Sequence, residues 1–134
     1  MKKLLLTAAL MLMVTPAMAK EYTIKMVTDT EAEHPYAFSP STLNIQPGDT
    51  VIFENAQDDT HNMMIDGAPK GVDGMIMSPT LEQEGQTWSY TFTKEGTYSF
   101  HCHPHQALGM KGTIIVGTAS KPEDMHKMKH EHGE

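Results

Sequence analysis

Tyr98-Ser99-Phe100-His101-Cys102-His103-Pro104-His105-Gln106-Ala107-Leu108-Gly109-Met110-Lys111-Gly112-Thr113-Ile114-Ile115-Val116 is the stretch that decides how this chain is read. Tyr98 and Phe100 alternate with polar neighbours as in a half-buried strand, and Lys111 to Val116 reads as a closing strand. Between them a thiol, an imidazole and a thioether fall within one tight loop. A soft thiolate, imidazoles and a weak axial thioether together favour copper, with the long thioether bond tuning the potential. Zinc prefers four strong ligands in a closed tetrahedron and has no use for a methionine.

Working outward, the same alternation recurs at Ile24 and Met26, Leu43 and Ile45, Val51 and Phe53, and Trp88, Tyr90 and Phe92. Turn residues divide these runs at Gln46-Pro47-Gly48-Asp49 and Lys94-Glu95-Gly96. The spacing predicts an all-β fold, a two-sheet antiparallel Greek-key sandwich of seven or eight strands. Asp66 to Gln86, rich in Gly, Pro and acidic residues, predicts an irregular crossover holding one short helix. Trp88 reads as a core aromatic, Met75 and Met77 as core or patch residues, and His34 as a solvated loop histidine. The missing fourth ligand is His61, which opens the next alternating segment, His61 to Ile65, and can meet the Cys102 strand at one end of a sandwich. Ligands clamped between strand ends and a short loop need not move when a bound copper changes charge, which suits fast electron transfer. Pro104 stiffens that loop and removes one N–H near the metal.

Residues 1–19 read as a secretory signal: Lys2-Lys3, an apolar run from Leu4 to Val14, then Ala17-Met18-Ala19, with cleavage after Ala19 into the periplasm. About 115 residues remain, enough for one small core. The domain spans 20–118 and is followed by a flexible His/Met-rich tail, 119–134. Without Lys2 and Lys3, eight lysines and no arginine face seventeen acidic residues. That balance excludes nucleic acid and anionic lipid as partners and suits a cationic protein met by electrostatic steering. No other stretch approaches a transmembrane run, so membrane insertion is not expected. The single cysteine, Cys102, cannot form an internal disulfide and sits among three histidines, a setting for a metal.

These residues resemble the cupredoxins, the type 1 blue copper proteins, and most closely the pseudoazurins and plastocyanins, over residues 22 to 117. Cys102, His105 and Met110 reproduce their ligand spacing, Asp59-Thr60-His61-Asn62 is similar to their first-ligand segment, and Pro47-Gly48-Asp49-Thr50 also fits. The resemblance implies one copper per chain held by His61, Cys102, His105 and Met110, and single-electron transport rather than enzymatic turnover. It implies that Asn62 ties the two ligand loops together and directs a hydrogen bond at the Cys102 sulfur. It also implies a redox partner docking at an apolar patch near His105, formed by Pro104, Ala107 and Leu108 with Met63 or Met64. Pseudoazurins continue into C-terminal helices and surround the patch with lysines, whereas this sequence offers a short His/Met tail and is lysine-poor.

His101 and His103, flanking Cys102, resemble the pair that holds a second copper cluster in multicopper oxidases. His105 follows too soon for that spacing, and the separate His-x-His pairs are absent. Strand alternation predicts that His101, opposite Cys102, is exposed, as is His103; an auxiliary metal site or a relay is the alternative use of the pair. In the tail, Met125, His126, Met128, His130 and His132 could collect copper, which supports a second reading: a periplasmic copper carrier, buffer or copper-tolerance protein using the same site.

Overall fold

The computed structural model describes residues 18–117. Most of the proposed signal segment and the tail carrying Met125, His126, Met128, His130 and His132 lie outside the described residues.

Eight strands follow in chain order: β1 (Glu21–Thr28), β2 (Tyr36–Ser39), β3 (Thr42–Ile45), β4 (Asp49–Asn55), β5 (Met64–Gly67), β6 (Thr87–Phe92), β7 (Gly96–His101) and β8 (Lys111–Val116). They form two four-stranded sheets ordered β2-β1-β4-β6 and β3-β8-β7-β5, the all-β sandwich that the alternation predicts. Along β4 the period of two is strict: Asp49, Val51, Phe53 and Asn55 are buried while the residues between them are half-buried. The inner faces supply Ile24, Met26, Phe53 and Phe92 from one sheet and Ile45, Tyr98, Phe100 and Ile114 from the other, all buried. Phe100 meets Phe38 and Phe53 edge-to-face at 4.7 and 5.6 Å, the arrangement ring quadrupoles prefer. Trp88 is half-buried and packs against Phe53 at the margin of this core.

The pairing departs from a purely antiparallel scheme. β1 pairs parallel with β4, and β3 with β8. Parallel neighbours need a long crossover, which the chain provides by leaving the first sheet for β3 and returning as β4, and by running from β3 through four further strands to β8. Gln46–Asp49 and Lys94–Gly96, which read from sequence as hairpin connections, instead carry the chain from one sheet to the other, β3 to β4 and β6 to β7, because a turn residue marks a reversal without saying which strands pair across it.

Asp66 to Gln86 forms no helix. Its later part lies back along the first-ligand segment through isolated bridges, His61 with Leu81 and Met64 with Met77. Among the described residues the helical turn sits instead in the Cys102–Met110 loop, as a 3-10 turn η1 (Gln106–Leu108). No described helix is long and apolar enough to cross a membrane. The architecture thus brings the β7–β8 loop and the segment before β5 to one end of the sandwich.

Candidate metal centre

Cys102 leaves β7 pointing inward, fully buried. Its main-chain N–H donates to the Met110 carbonyl at 3.0 Å, and the His105 N–H donates to the Cys102 carbonyl at 3.2 Å. Leu108 N–H closes on the His105 carbonyl at 3.0 Å, after which Gly109 turns the chain with φ 82°, a left-handed conformation that glycine adopts without strain. That turn delivers Met110 back to the core, where it is fully buried. Sequence-local hydrogen bonds therefore fix the loop that carries three of the candidate ligands.

The fourth comes from the segment before β5. His61 and Leu81 exchange both main-chain hydrogen bonds, at 2.9 and 2.8 Å, and the Met63 N–H donates to Ser78 Oγ at 2.8 Å. His61 is thus held by the crossover rather than by a regular strand, since β5 begins only at Met64. His61 Nδ1 lies 3.7 Å from Cys102 Sγ and His105 Nδ1 lies 3.6 Å from it. Donor atoms of the three residues all fall within 4.8 Å of one another.

Thr28 on β1 and Asp59, two residues before His61 in the chain, orient the His61 ring. Its Nε2 lies 2.7 Å from Thr28 Oγ1, which itself donates to Asp59 Oδ2 at 2.6 Å. Thr28 has one hydroxyl proton and the carboxylate takes it, so Nε2 carries its own proton and donates to Thr28. Nδ1, facing the thiol, then keeps a free lone pair. Burial pushes His61 below its usual value, against the pull of Asp59 and with help from His105, so the ring stays neutral. The Thr28 hydroxyl in turn holds Asp59 below its ordinary value; burial opposes it and the Thr60 N–H reinforces it. At Cys102 burial pushes the thiol up, the main-chain N–H groups of Asn62 and His105 pull it down, and Asp59 pushes it up again.

The donor chemistry fits one copper. Two imidazole nitrogens and a thiol sulfur converge at one end of the sandwich, with the buried Met110 in the same loop as two of them, and with the thiol deprotonated on binding those are the ligand types of a copper site. Residues 24–117 match the family of copper binding proteins described as the plastocyanin/azurin family. The chain belongs to this family. It is 39% identical over 114 residues to plastocyanin from Prochlorothrix hollandica, covering 84% of this chain and 85% of that protein. It is 42% identical over 86 residues to a chloroplastic plastocyanin from Fritillaria agrestis, covering 60% of this chain and 52% of that protein, about half its length. Pseudoazurin from Methylobacterium extorquens AM1 superposes with a TM-score of 0.61 at 29% identity, covering 81% of this chain and 83% of that one.

Around this plastocyanin/azurin-family centre, Asn62 is buried and its Oδ1 accepts from the His103 N–H at 2.8 Å, joining the two ligand-bearing segments. Pro104 lies exposed in the turn between His103 and His105, where its ring fixes the backbone rather than lining the site. Tyr36 stacks face-to-face on the His105 ring, centroids 3.9 Å apart and planes 9° apart. Pro104, Ala107 and Leu108 are exposed beside His105, Leu108 to 56%. Met63 is fully buried and cannot belong to that surface; Met64 is half-buried, and Met75 and Met77 are exposed.

His103 is exposed, but His101 is not: only 5% of it is accessible. The cause is an irregularity in β5. Ile65 pairs with Phe100 and Gly67 with Ser99, leaving Asp66 as an extra residue. Asp66 Oδ2 lies 2.6 Å from His101 Nδ1, and Ser99 Oγ donates to Asp66 Oδ1. Burial works to raise Asp66, but these two hydrogen bonds outweigh it and hold the carboxyl below its usual value. Thr28, Tyr36 and Asp66 carried no readable signal in the sequence. Asp59 sits in the quoted first-ligand segment, but its link through Thr28 depends on a strand distant in the chain.

Proposed function

We propose that this chain is a periplasmic electron carrier, exported and cleaved after Ala19, that passes single electrons between redox proteins and is not an enzyme. The carrying observation is the convergence of His61 Nδ1, His105 Nδ1 and Cys102 Sγ beside buried Met110 on segments fixed by main-chain hydrogen bonds. Copper, when bound, would supply the one-electron couple, and His61, Cys102, His105 and Met110 would hold it. The chain's own work is to hold those donors still. Thr28 and Asp59 orient His61, Tyr36 restrains His105, and Asn62 locks the loops, so gain or loss of an electron demands little rearrangement.

His105 is half-buried, and the exposed Pro104, Ala107 and Leu108 around it form the docking surface for the partner. The acidic balance of the chain favours a cationic partner. The test is an optical and EPR spectrum of the protein loaded with one copper, followed by stopped-flow reduction and reoxidation with a small mediator. An intense visible band with narrow hyperfine splitting and rapid, reversible cycling is the expected result. Cys102→Ser should abolish the band; a variant that kept it would remove Cys102 from the ligand set.

A further inference from the structure

We propose that His101 and His103 form a second metal site, distinct from the Cys102 centre, which takes a borderline divalent cation such as Zn(II). His101 Nε2 is buried and has no hydrogen-bond partner among the described residues. An unpaired buried polar nitrogen costs stability and calls for a function. The opposite ring nitrogen, Nδ1, is taken by Asp66 at 2.6 Å. With Nδ1 engaged by the Asp66 carboxylate, Nε2 is the ring nitrogen left to face a metal; carboxylate, imidazole and metal fall in that order around ligating histidines generally. The β5 irregularity aims Asp66 at this ring, and Ser99 anchors its other oxygen.

His103 supplies the second donor. Its ring centroid lies 5.9 Å from that of His101, with planes 47° apart. The Cys102 centre provides a measure within the same molecule: His61 and His105 lie 5.0 Å apart with planes 58° apart. Two imidazoles sharing one ion at about 2.0–2.1 Å place their centroids between about 5 and 6 Å apart. Imidazole donors without a thiolate suit Zn(II) or Cu(II), with water completing an open shell on the exposed His103 side.

The test uses the full-length, copper-loaded protein with His126, His130 and His132 replaced by Ala, so that the tail does not compete. Zn(II) is titrated calorimetrically while the visible copper band is followed. Uptake of one Zn(II) with the band retained is expected, with at least tenfold weaker binding in His103→Gln and tenfold or more in Asp66→Asn. Absence of uptake, or uptake indifferent to both substitutions, would overturn the site. Zinc-edge X-ray absorption on the protein with both histidines intact provides a reading independent of variant folding: two imidazoles are expected, and a shell of oxygens alone also overturns it. A blue band without Zn(II) uptake sinks this site only, whereas Zn(II) uptake without a blue band sinks the electron-carrier reading.

Discussion

Lys20 and Asp49 fasten the start of the described chain to the sandwich: the Lys20 N–H donates to Asp49 Oδ1 at 2.9 Å, and the Gln46 N–H donates to Oδ2 at 2.8 Å. These two donors, Lys20 first, hold the buried carboxyl below its ordinary value against the cost of burial. A carboxyl depressed in the folded state stabilises above its unfolded value, near 3.9, and that contribution is lost as pH falls through the folded value. Asp49→Asn should cost about 1–2 kcal/mol at neutral pH in urea unfolding, because an amide cannot accept on both sides. The difference should shrink below about pH 4; a gap that stays constant to pH 2 would mean the charge is irrelevant.

Thr28 bridges His61 and Asp59 by hydrogen bonds, while the Asp59 Oδ2 itself lies 3.8 Å from His61 Nε2. Thr28→Val keeps the shape and removes the bridging hydroxyl, leaving His61 Nε2 with only the more distant Asp59 Oδ2 at 3.8 Å. Copper affinity should fall about 10- to 100-fold by competition with a chelator, with the visible band retained. Unchanged affinity would show that the crossover alone positions the ring.

Tyr36 covers one face of His105. Stacked rings contribute about 0.5–1.5 kcal/mol beyond burial. Tyr36→Leu should therefore speed copper loss to a chelator roughly 2- to 10-fold and broaden the His105 ring resonances of the reduced protein. Equal release rates in the two proteins would leave the stack without a role in retention.

Gly112 faces Phe100 across the β7–β8 ladder, and a Cβ there would lie 2.5 Å from the Phe100 ring and 2.7 Å from the Ser41 carbonyl oxygen. Since the carbonyl belongs to backbone, the added methyl cannot be accommodated by a rotamer change. Gly112→Ala should destabilise by about 1–3 kcal/mol. Thermal unfolding that matched the parent would show that β8 shifts freely.

His61 makes the copper-free protein acid-sensitive. Its folded value is depressed below the unfolded one, near 6.5, so between the two the unfolded chain binds the extra proton and stability falls as pH drops. Urea midpoints of the copper-free protein should decline from pH 7 to pH 5, and His61→Gln should flatten that decline. A wild-type midpoint rising toward pH 5 would reverse the assignment.

The sandwich and the strand–loop–strand unit around Cys102 were legible because both are written in local patterns: a period of two, and donor types at short spacing. What stayed hidden depends on which distant segments meet. The parallel neighbours β1–β4 and β3–β8 leave no mark in either partner's own residues. Thr28, Tyr36 and Asp66 reach histidines 33, 69 and 35 positions away in the chain. Alternation placed His101 on the outer face, but an extra residue in β5 covers that face, and alternation within β7 contains no information about its neighbour's irregularities.

Because, among the described residues, β3 pairs within its sheet only with β8, the order in which residues emerge during synthesis matters. A chain delivered from its first residue onward makes Thr42–Ile45 long before Lys111–Val116 exists, and the second sheet stays open throughout. The Cys102–Met110 loop joins the last two strands, so it closes in the same event that gives β3 its neighbour. A chain cut short before Lys111 would lack the strand that sits between β3 and β7 and closes the Cys102–Met110 loop, and a metal ion arriving early would meet loose side chains rather than a site.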